Sequence, residues 1–483
     1  MAFFLHYFPS AWHWTLLLLE IVMGCAALLH VILRKNDPRA AAYWVALIAL
    51  VPVLGAVLYL LLGINIIRRR GKRYREVAEP GEKSRPNAVS HLLPEWETEV
   101  QAMPGLVTSL DTLSRMSLVG GNKVDILRNG TEALPAMLEA IESATCSVSL
   151  SSYIFEIMGI GMRFAEALER AVKRGVQVRV MIDDAGTRYA WPPVTGELSR
   201  RGITVRRFMP NRFIGRLLTM NLRNHRKILV VDGKTGFTGG MNIRQGNMLE
   251  EHPAHPVQDI HFRVEGPIVR QMQQMFGEDW QFCTGEVLEG GAWYPELDMP
   301  GEVSAIGLPG GPDDDRQTLA FAIATALHEA KREVRVITPY FLPAEPIFSA
   351  LISCALRGVK VRIIVPSKNN IPLVKWASRT MYAPFLKRGC RIFESAPPFD
   401  HSKALIVDGT FSLIGSTNWD PRSLKLNFEF NLACFDDSLA RKLTDEFDRK
   451  LAESGEITLE TLAAQTPGER LRNGIARLII PLL

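Results

Sequence analysis

The chain has 483 residues, 47% of them hydrophobic and 22% charged, with a formal net charge of +5. That balance excludes a disordered chain and leaves room for two domains, or for one duplicated domain with an appendage. A mildly basic surface suits anionic lipid or nucleic acid and is too weak to choose between them.

Two apolar runs open the chain, at 11–33 and 41–67. Each is long enough to cross a hydrocarbon core about 30 Å thick. Trp12, Trp14, Tyr43 and Trp44 lie near the ends of the runs, where aromatic rings prefer the headgroup level. Glu20 and His30, inside the first run, are expected to face the partner helix or to snorkel. A signal peptide is the competing reading, but no basic region precedes the first run and a second run follows at once. The basic run "RRRGKRYR" (68–75) outweighs the basic residues between the two runs. By the positive-inside rule both termini and the large domain are then cytoplasmic, and the same run is drawn to an anionic lipid surface. Residues 1–67 therefore read as a two-helix transmembrane hairpin, and 68–118 as a basic linker with a short helical region.

Strands then alternate with amphipathic helices. "CSVSLSSYIF" (146–155) reads as a buried strand, 162–175 as a helix and "VQVRVMID" (176–183) as a strand. The order returns in "EVRVITPYFL" (333–342), 345–358 and "VKVRIIVP" (359–366). The expected fold is α/β: two tandem repeats, 119–300 and 301–460, with mixed sheets flanked by helices about a pseudo-two-fold. The six cysteines show no C-x-x-C pair and no metal-ligand spacing. Cys146, Cys354, Cys390 and Cys434 fall in or beside apolar patterns and read as buried free thiols of a reducing compartment.

Each repeat carries one copy of the pattern H-x-K-x-x-x-x-D-x-x-x-x-x-x-G-[GS]-x-N. The first copy is His225, Lys227, Asp232 and Asn242; the second is His401, Lys403, Asp408 and Asn418. One such motif is a weak signal, whereas two at matching places in a duplication are a strong one. On an extended segment the histidine and lysine share a face, while Arg226 or Ser402 between them turns into packing. The six histidine, lysine and aspartate positions are the catalytic candidates, with Asp232 and Asp408 given a structural role in the turn. Two such segments about a pseudo-two-fold put two imidazoles, two ammonium groups and two carboxamides around one point.

That set suits a phosphodiester, with no metal and no cofactor. Lysine and asparagine donors hold non-bridging oxygens, one neutral imidazole attacks phosphorus, and a protonated one serves the leaving alkoxide. Asp259 and Glu429 follow the motifs on strands, and each is a candidate to orient its histidine through the far ring nitrogen. The loop before His225 is longer than the one before His401 and mixes Phe213, Leu217, Leu218 and Met220 with Arg212, Arg216 and Arg223. An anionic amphiphile fits such a loop, and a solvated loop is the plain alternative.

The two motifs resemble those of the phospholipase D superfamily. Over the whole chain the resemblance is to the bacterial cardiolipin synthases, carried by "ALVPVLGAVLYLLLG", "NLRNHRKILVVDG", "TPYFLP", "GSTNWDPRS" with "LNFEFNL", and the apolar tail. The resemblance implies phosphatidyl transfer between two phosphatidylglycerol molecules, giving cardiolipin and glycerol through a phosphohistidine, at a bacterial inner membrane. It also implies His225 as nucleophile and His401 as general acid, an order to which the pseudo-symmetry itself is indifferent. Arg422 and Ser423, in "DPRS", are added as phosphate contacts. One departure is Met158, in a loop where the family usually has an acidic residue.

The tail, 461–483, sets Leu471, Ile475, Leu478 and Ile479 against Arg470, Arg472 and Arg477. It reads as a helix in the membrane interface, with docking on the protein's own core as the alternative. Two further functions stay open at this level: a phospholipase D that hydrolyses phospholipid to phosphatidic acid, and a membrane-held nucleic-acid phosphodiesterase. Against the last stand the hairpin, the tail and the lack of an aromatic-interleaved basic platform, so no nucleic-acid partner is expected.

Overall fold

A computed structural model of the protein describes residues 11–35, 38–60, 98–189, 193–210, 222–312 and 317–479. The end of the second apolar run, the basic run 68–75, the linker up to 97 and most of the long loop before His225 lie outside the described residues. The chain divides into two compact units, the N-terminal segment and the α/β body.

In the N-terminal unit the helix Ala11–Arg34 packs on Pro38–Leu50 and Pro52–Leu58. Val51, at φ −138° ahead of Pro52, splits the second apolar run into two helices, because proline cannot donate to the ladder of a continuous one. A Cβ on Gly55 would lie 2.7 Å from the carbonyl oxygen of Leu47, so the close return of the backbone requires glycine. Among the described residues no helix is long and apolar enough to cross a membrane. His30 faces the second segment, with Nδ1 2.8 Å from the Tyr59 hydroxyl.

Among the described residues the second unit is built on one 15-stranded mixed sheet, with Gly455–Ile457 antiparallel at one edge. In the first half, Ser147–Ser152, Gln177–Asp183 and Thr204–Phe208 run parallel. Ile228–Val231, Thr235–Gly239, Ile260–Glu265 and Val119–Arg128 then follow antiparallel. The second half repeats this order with Glu333–Ile337, Lys360–Pro366 and Arg391–Ser395 parallel. Ala404–Val407, Phe411–Gly415, Glu429–Phe435 and Val303–Gly310 complete it antiparallel. The halves meet where Val119–Arg128 pairs with Val303–Gly310, so the repeats share one continuous sheet.

Helices cover the sheet for the expected reason. In Ile160–Lys173 the buried residues Phe164, Ala165, Leu168 and Ala171 recur at helical spacing and face the core. In the second half Ile347, Ala350, Leu351 and Cys354 do the same. Cys354, Cys390 and Cys434 are buried thiols. Cys146 is not: it is exposed, because it lies in the turn just before the strand, where its N–H donates to Asp232 at 2.7 Å.

Candidate active site

Each motif enters the site just ahead of a short buried strand, Ile228–Val231 or Ala404–Val407. The backbone there is tied across the duplication. The N–H of His225 donates to the carbonyl of Phe428 at 2.9 Å, and that of His401 to the carbonyl of Gln258 at 2.8 Å. Phe428 and Gln258 immediately precede Glu429 and Asp259 in the sequence. Each histidine is therefore fastened beside the acidic residue of the other repeat.

The side chains follow. His225 Nδ1 lies 3.2 Å from Glu429 Oε2, and His401 Nδ1 lies 3.0 Å from Asp259 Oδ2. The two acids expected to orient the histidines stand at the far ring nitrogens, but exchanged between repeats, because the antiparallel join of the halves faces each motif to the opposite strand. The imidazole centroids stand 6.5 Å apart at 79°, both rings almost fully buried. With Nδ1–H given to a carboxylate, the Nε2 lone pair of each ring is the one left for chemistry.

The lysines close the same point. Lys227 Nζ donates to the His225 carbonyl at 2.6 Å and lies 5.5 Å from the Tyr153 ring centroid. Lys403 Nζ lies 3.0 Å from His401 Nδ1. Asn242 accepts the Ile154 N–H at 3.1 Å, which leaves its NH₂ as the donating end. Asn418 donates to Ser423 Oγ at 3.1 Å. Ser423 and Arg422 open a short helix whose cap, Asp420, accepts from both of their N–H groups.

Asp232 and Asp408 stand away from this point. Both take positive φ, 50° and 53°, and both carboxylates accept from a run of backbone N–H groups. Asp232 takes those of Thr145, Cys146 and Ser147; Asp408 takes those of Lys331, Arg332 and Glu333. Arg226 turns into the core, where it pairs with Asp279 and donates to the Glu429 carbonyl at 3.1 Å. Ser402 is likewise buried and bonds Asp400.

The charges of the two halves differ. Burial raises Glu429, but His225, Lys227 and the Ser416 hydroxyl outweigh it and hold the carboxyl below its usual range. Burial pushes Asp259 up to about 6, and Asp400 adds to the rise. The position matching Ser416 is Gly240, where a Cβ would come within 2.6 Å of Asp259 Oδ1. No hydroxyl can reach Asp259 from that side. Burial lowers Lys227 to about 7 and Lys403 to about 8. Burial and the lysines lower both histidines, His401 well below its usual value. Burial thus favours the neutral form of both rings and weakens the charge of the lysines, and a phosphodiester anion at this point would favour the lysines' charge and a proton on one ring.

Tyr153 and Tyr340 belong to the site and were legible only as matching letters of the repeat. Tyr153 lies 5.1 Å from the His225 ring and Tyr340 6.2 Å from that of His401, centroid to centroid. Among the described residues no three His, Cys, Asp or Glu side chains gather as a metal-binding group.

Known proteins carry the same pattern. Residues 137–280 and 323–451 match the family described as "Cardiolipin synthase, PLD-like domain", and 23–63 match "Phospholipase_D-nuclease N-terminal". A cardiolipin synthase of Oceanobacillus iheyensis is 32% identical over 475 residues, covering 97% of this chain and 99% of that one. Cardiolipin synthase A of Pseudomonas putida is 33% identical, with 96% of each chain covered. The crystal structure of a phosphatidylserine synthase from Haemophilus influenzae superposes with a TM-score of 0.60 at 14% identity. It covers 78% of this chain and 100% of its own, a likeness of fold. With both repeats matched, and relatives similar over nearly their whole length, the chain belongs to the cardiolipin synthase family of phospholipase D-like proteins.

Proposed function

We propose that this chain is a cardiolipin synthase, moving the phosphatidyl group of one phosphatidylglycerol onto the glycerol hydroxyl of a second and releasing glycerol. The observation that carries the reading is the pair of imidazoles 6.5 Å apart, each backed by a buried carboxylate and accompanied by a lysine. That spacing leaves room for one phosphorus between two ring nitrogens.

His225 Nε2 attacks phosphorus. The bond to the glycerol oxygen breaks, and His401 gives that oxygen its proton. The phosphatidyl group is then held on His225 through a P–N bond. His401 next takes the proton of the incoming lipid's hydroxyl, whose oxygen bonds phosphorus as the P–N bond breaks. Lys227, Lys403, Asn242 and Asn418 hold the non-bridging oxygens, with Arg422 and Ser423 beside them. Glu429 supports this order: an ionised carboxylate behind His225 stabilises the positive charge its ring gains on attack.

The hairpin is read as the membrane anchor, with both termini and the catalytic body on the cytoplasmic side of a bacterial inner membrane. Leu18, Leu19, Val22, Leu29, Ile32 and Leu33 are all exposed along Ala11–Arg34, an apolar surface that suits lipid. The tail is read as an interfacial foot. Its helix Pro467–Ile479 packs on Pro372–Arg379, with Ala476 against Ala377, while Leu471, Ile475 and Leu478 stay exposed. Docking on the core thus uses one face of the helix and leaves an apolar one for the membrane.

The purified chain incubated with phosphatidylglycerol vesicles tests the reading. Cardiolipin and glycerol are the expected products. Phosphatidic acid as the main product would make the chain a hydrolase, and no lipid turnover would overturn both.

A further inference from the structure

The residue before each histidine differs between the repeats: Asn224 stands before His225 and Asp400 before His401. Each meets a charged side chain on the long helix that follows in its own repeat. Asn224 Nδ2 donates to Asp279 Oδ2 at 3.0 Å, on Ile268–Thr284. Asp400 Oδ2 instead accepts from Lys450 Nζ at 2.7 Å, on Asp437–Ala452. The first repeat thus sets an amide against a carboxylate, and the second sets a carboxylate against an ammonium. Asp400 and Lys450 are both almost fully buried. Burial raises Asp400, but Lys450 and then Ser402 outweigh it and keep the carboxyl below its usual range.

Lys450 also reaches across the duplication. Phe399–Asp400 pairs in parallel with Val257–Gln258, which sets Asp400 beside Gln258. Lys450 Nζ stands 3.5 Å from Gln258 Oε1. Its two partners are the residues immediately before His401 and before Asp259. One turn earlier on the same helix, buried Glu446 accepts from Arg128 Nε at 2.9 Å. The next residue, Asn129, donates its N–H to the Asp259 carbonyl at 2.9 Å. Its side-chain oxygen accepts the Asp259 N–H in return at 3.2 Å. The helix Asp437–Ala452 therefore braces the chain on both sides of the His401–Asp259 pair.

The two histidines have unequal tasks in phosphatidyl transfer. His225 carries the phosphatidyl group, while His401 gives up a proton and takes one back in each turnover. Burial, Lys403, His225 and Lys227 lower His401, and the charge of Asp400 acts against them. Resting on the function proposed above, we infer that Lys450 is a positioning residue for proton transfer: through Asp400 and Gln258 it holds the segment of His401 against that of Asp259, and so serves the half of the site that handles protons.

A leaving group that needs no proton tests it. When His225 attacks phosphatidyl-p-nitrophenol, the P–O bond breaks to give p-nitrophenolate, which keeps the electron pair and leaves unprotonated. Full-length wild type, Lys450→Met and the double variant Lys450→Met/Asp400→Asn are compared on this substrate and on phosphatidylglycerol vesicles. Both variants are expected to make cardiolipin about tenfold more slowly, part of the usual worth of general acid–base catalysis. Their first burst of p-nitrophenolate should stay within about twofold of wild type. Burst and cardiolipin falling by the same factor would give Lys450 a merely structural role and overturn the inference, as would unchanged cardiolipin synthesis. A Lys450→Met chain that does not fold shows no thermal transition. The double variant, which buries no lone charge and takes the asparagine of the first repeat, then decides by the same two rates. Wild-type chain that leaves phosphatidylglycerol intact would remove the parent reading, and the role of Lys450 with it.

Discussion

Glu429, on a strand of the second repeat, reaches across to His225 of the first and stands 3.2 Å from its Nδ1. Asp259 returns the relationship at 3.0 Å from His401. Neither repeat thus contains its own histidine–carboxylate pair, and the site exists only where the two halves join.

Glu429→Gln is therefore expected to lower kcat by about a hundredfold with little change in folding, since the amide keeps the shape but not the charge. Asp259→Asn should fall by a comparable factor. Steady-state kinetics beside a melting curve separate chemistry from stability. If Glu429→Gln kept wild-type turnover, the orienting role would be lost.

Ser416 makes the pairs unequal, since its hydroxyl bonds Glu429 at 2.5 Å while Gly240 offers Asp259 none. Ser416→Ala should raise the Glu429 pKa while the acid limb, set by Asp259, stays in place, with a kcat loss smaller than that of Glu429→Gln. Gly240→Ser puts a Cβ 2.6 Å from Asp259 Oδ1, and turnover should drop because the carboxylate must shift off His401. A kcat loss in Ser416→Ala as large as that of Glu429→Gln would contradict the first of these.

The pH profile has a predicted window. Asp259 is pushed up to about 6, so acidification below that protonates it and releases its hold on His401. Lys227 is brought down to about 7 and Lys403 to about 8, so alkalinisation removes the cations that grip the phosphate. The rate with phosphatidylglycerol should peak between about 6 and about 7 and fall on both sides. A profile that stayed flat to strongly alkaline pH would contradict the charge role of the lysines.

Asp408→Ala removes an acceptor from three backbone N–H groups at a residue whose φ is 53°. A loss of roughly 2 kcal/mol in stability is expected, read as a lower Tm. An unchanged Tm with lost turnover would instead give Asp408 a part in the chemistry.

The motif residues were legible because they are local: His225, Lys227 and Asn242 stand at fixed offsets on one stretch of chain, and the second repeat spells them again. Asp259 and Glu429 were legible as acids on apolar strands. Their exchange was not, since it depends on how the halves cross, and no short-range spacing encodes that. The pairing of Arg226 with Asp279 is hidden for the same reason. Cys146 misled because an apolar strand follows it, whereas it sits in the turn that Asp232 organises. The second apolar run read as one helix, although Pro52 interrupts it.

The central claim is that both imidazoles act on one phosphorus, with His225 taking the covalent bond. Rapid acid quenching of the enzyme with radiolabelled phosphatidylglycerol, followed by peptide mapping, measures it. The label should sit on the His225 peptide in wild type, persist there in His401→Ala and vanish in His225→Ala. Label on His401, or turnover by His225→Ala at the wild-type rate, would contradict it.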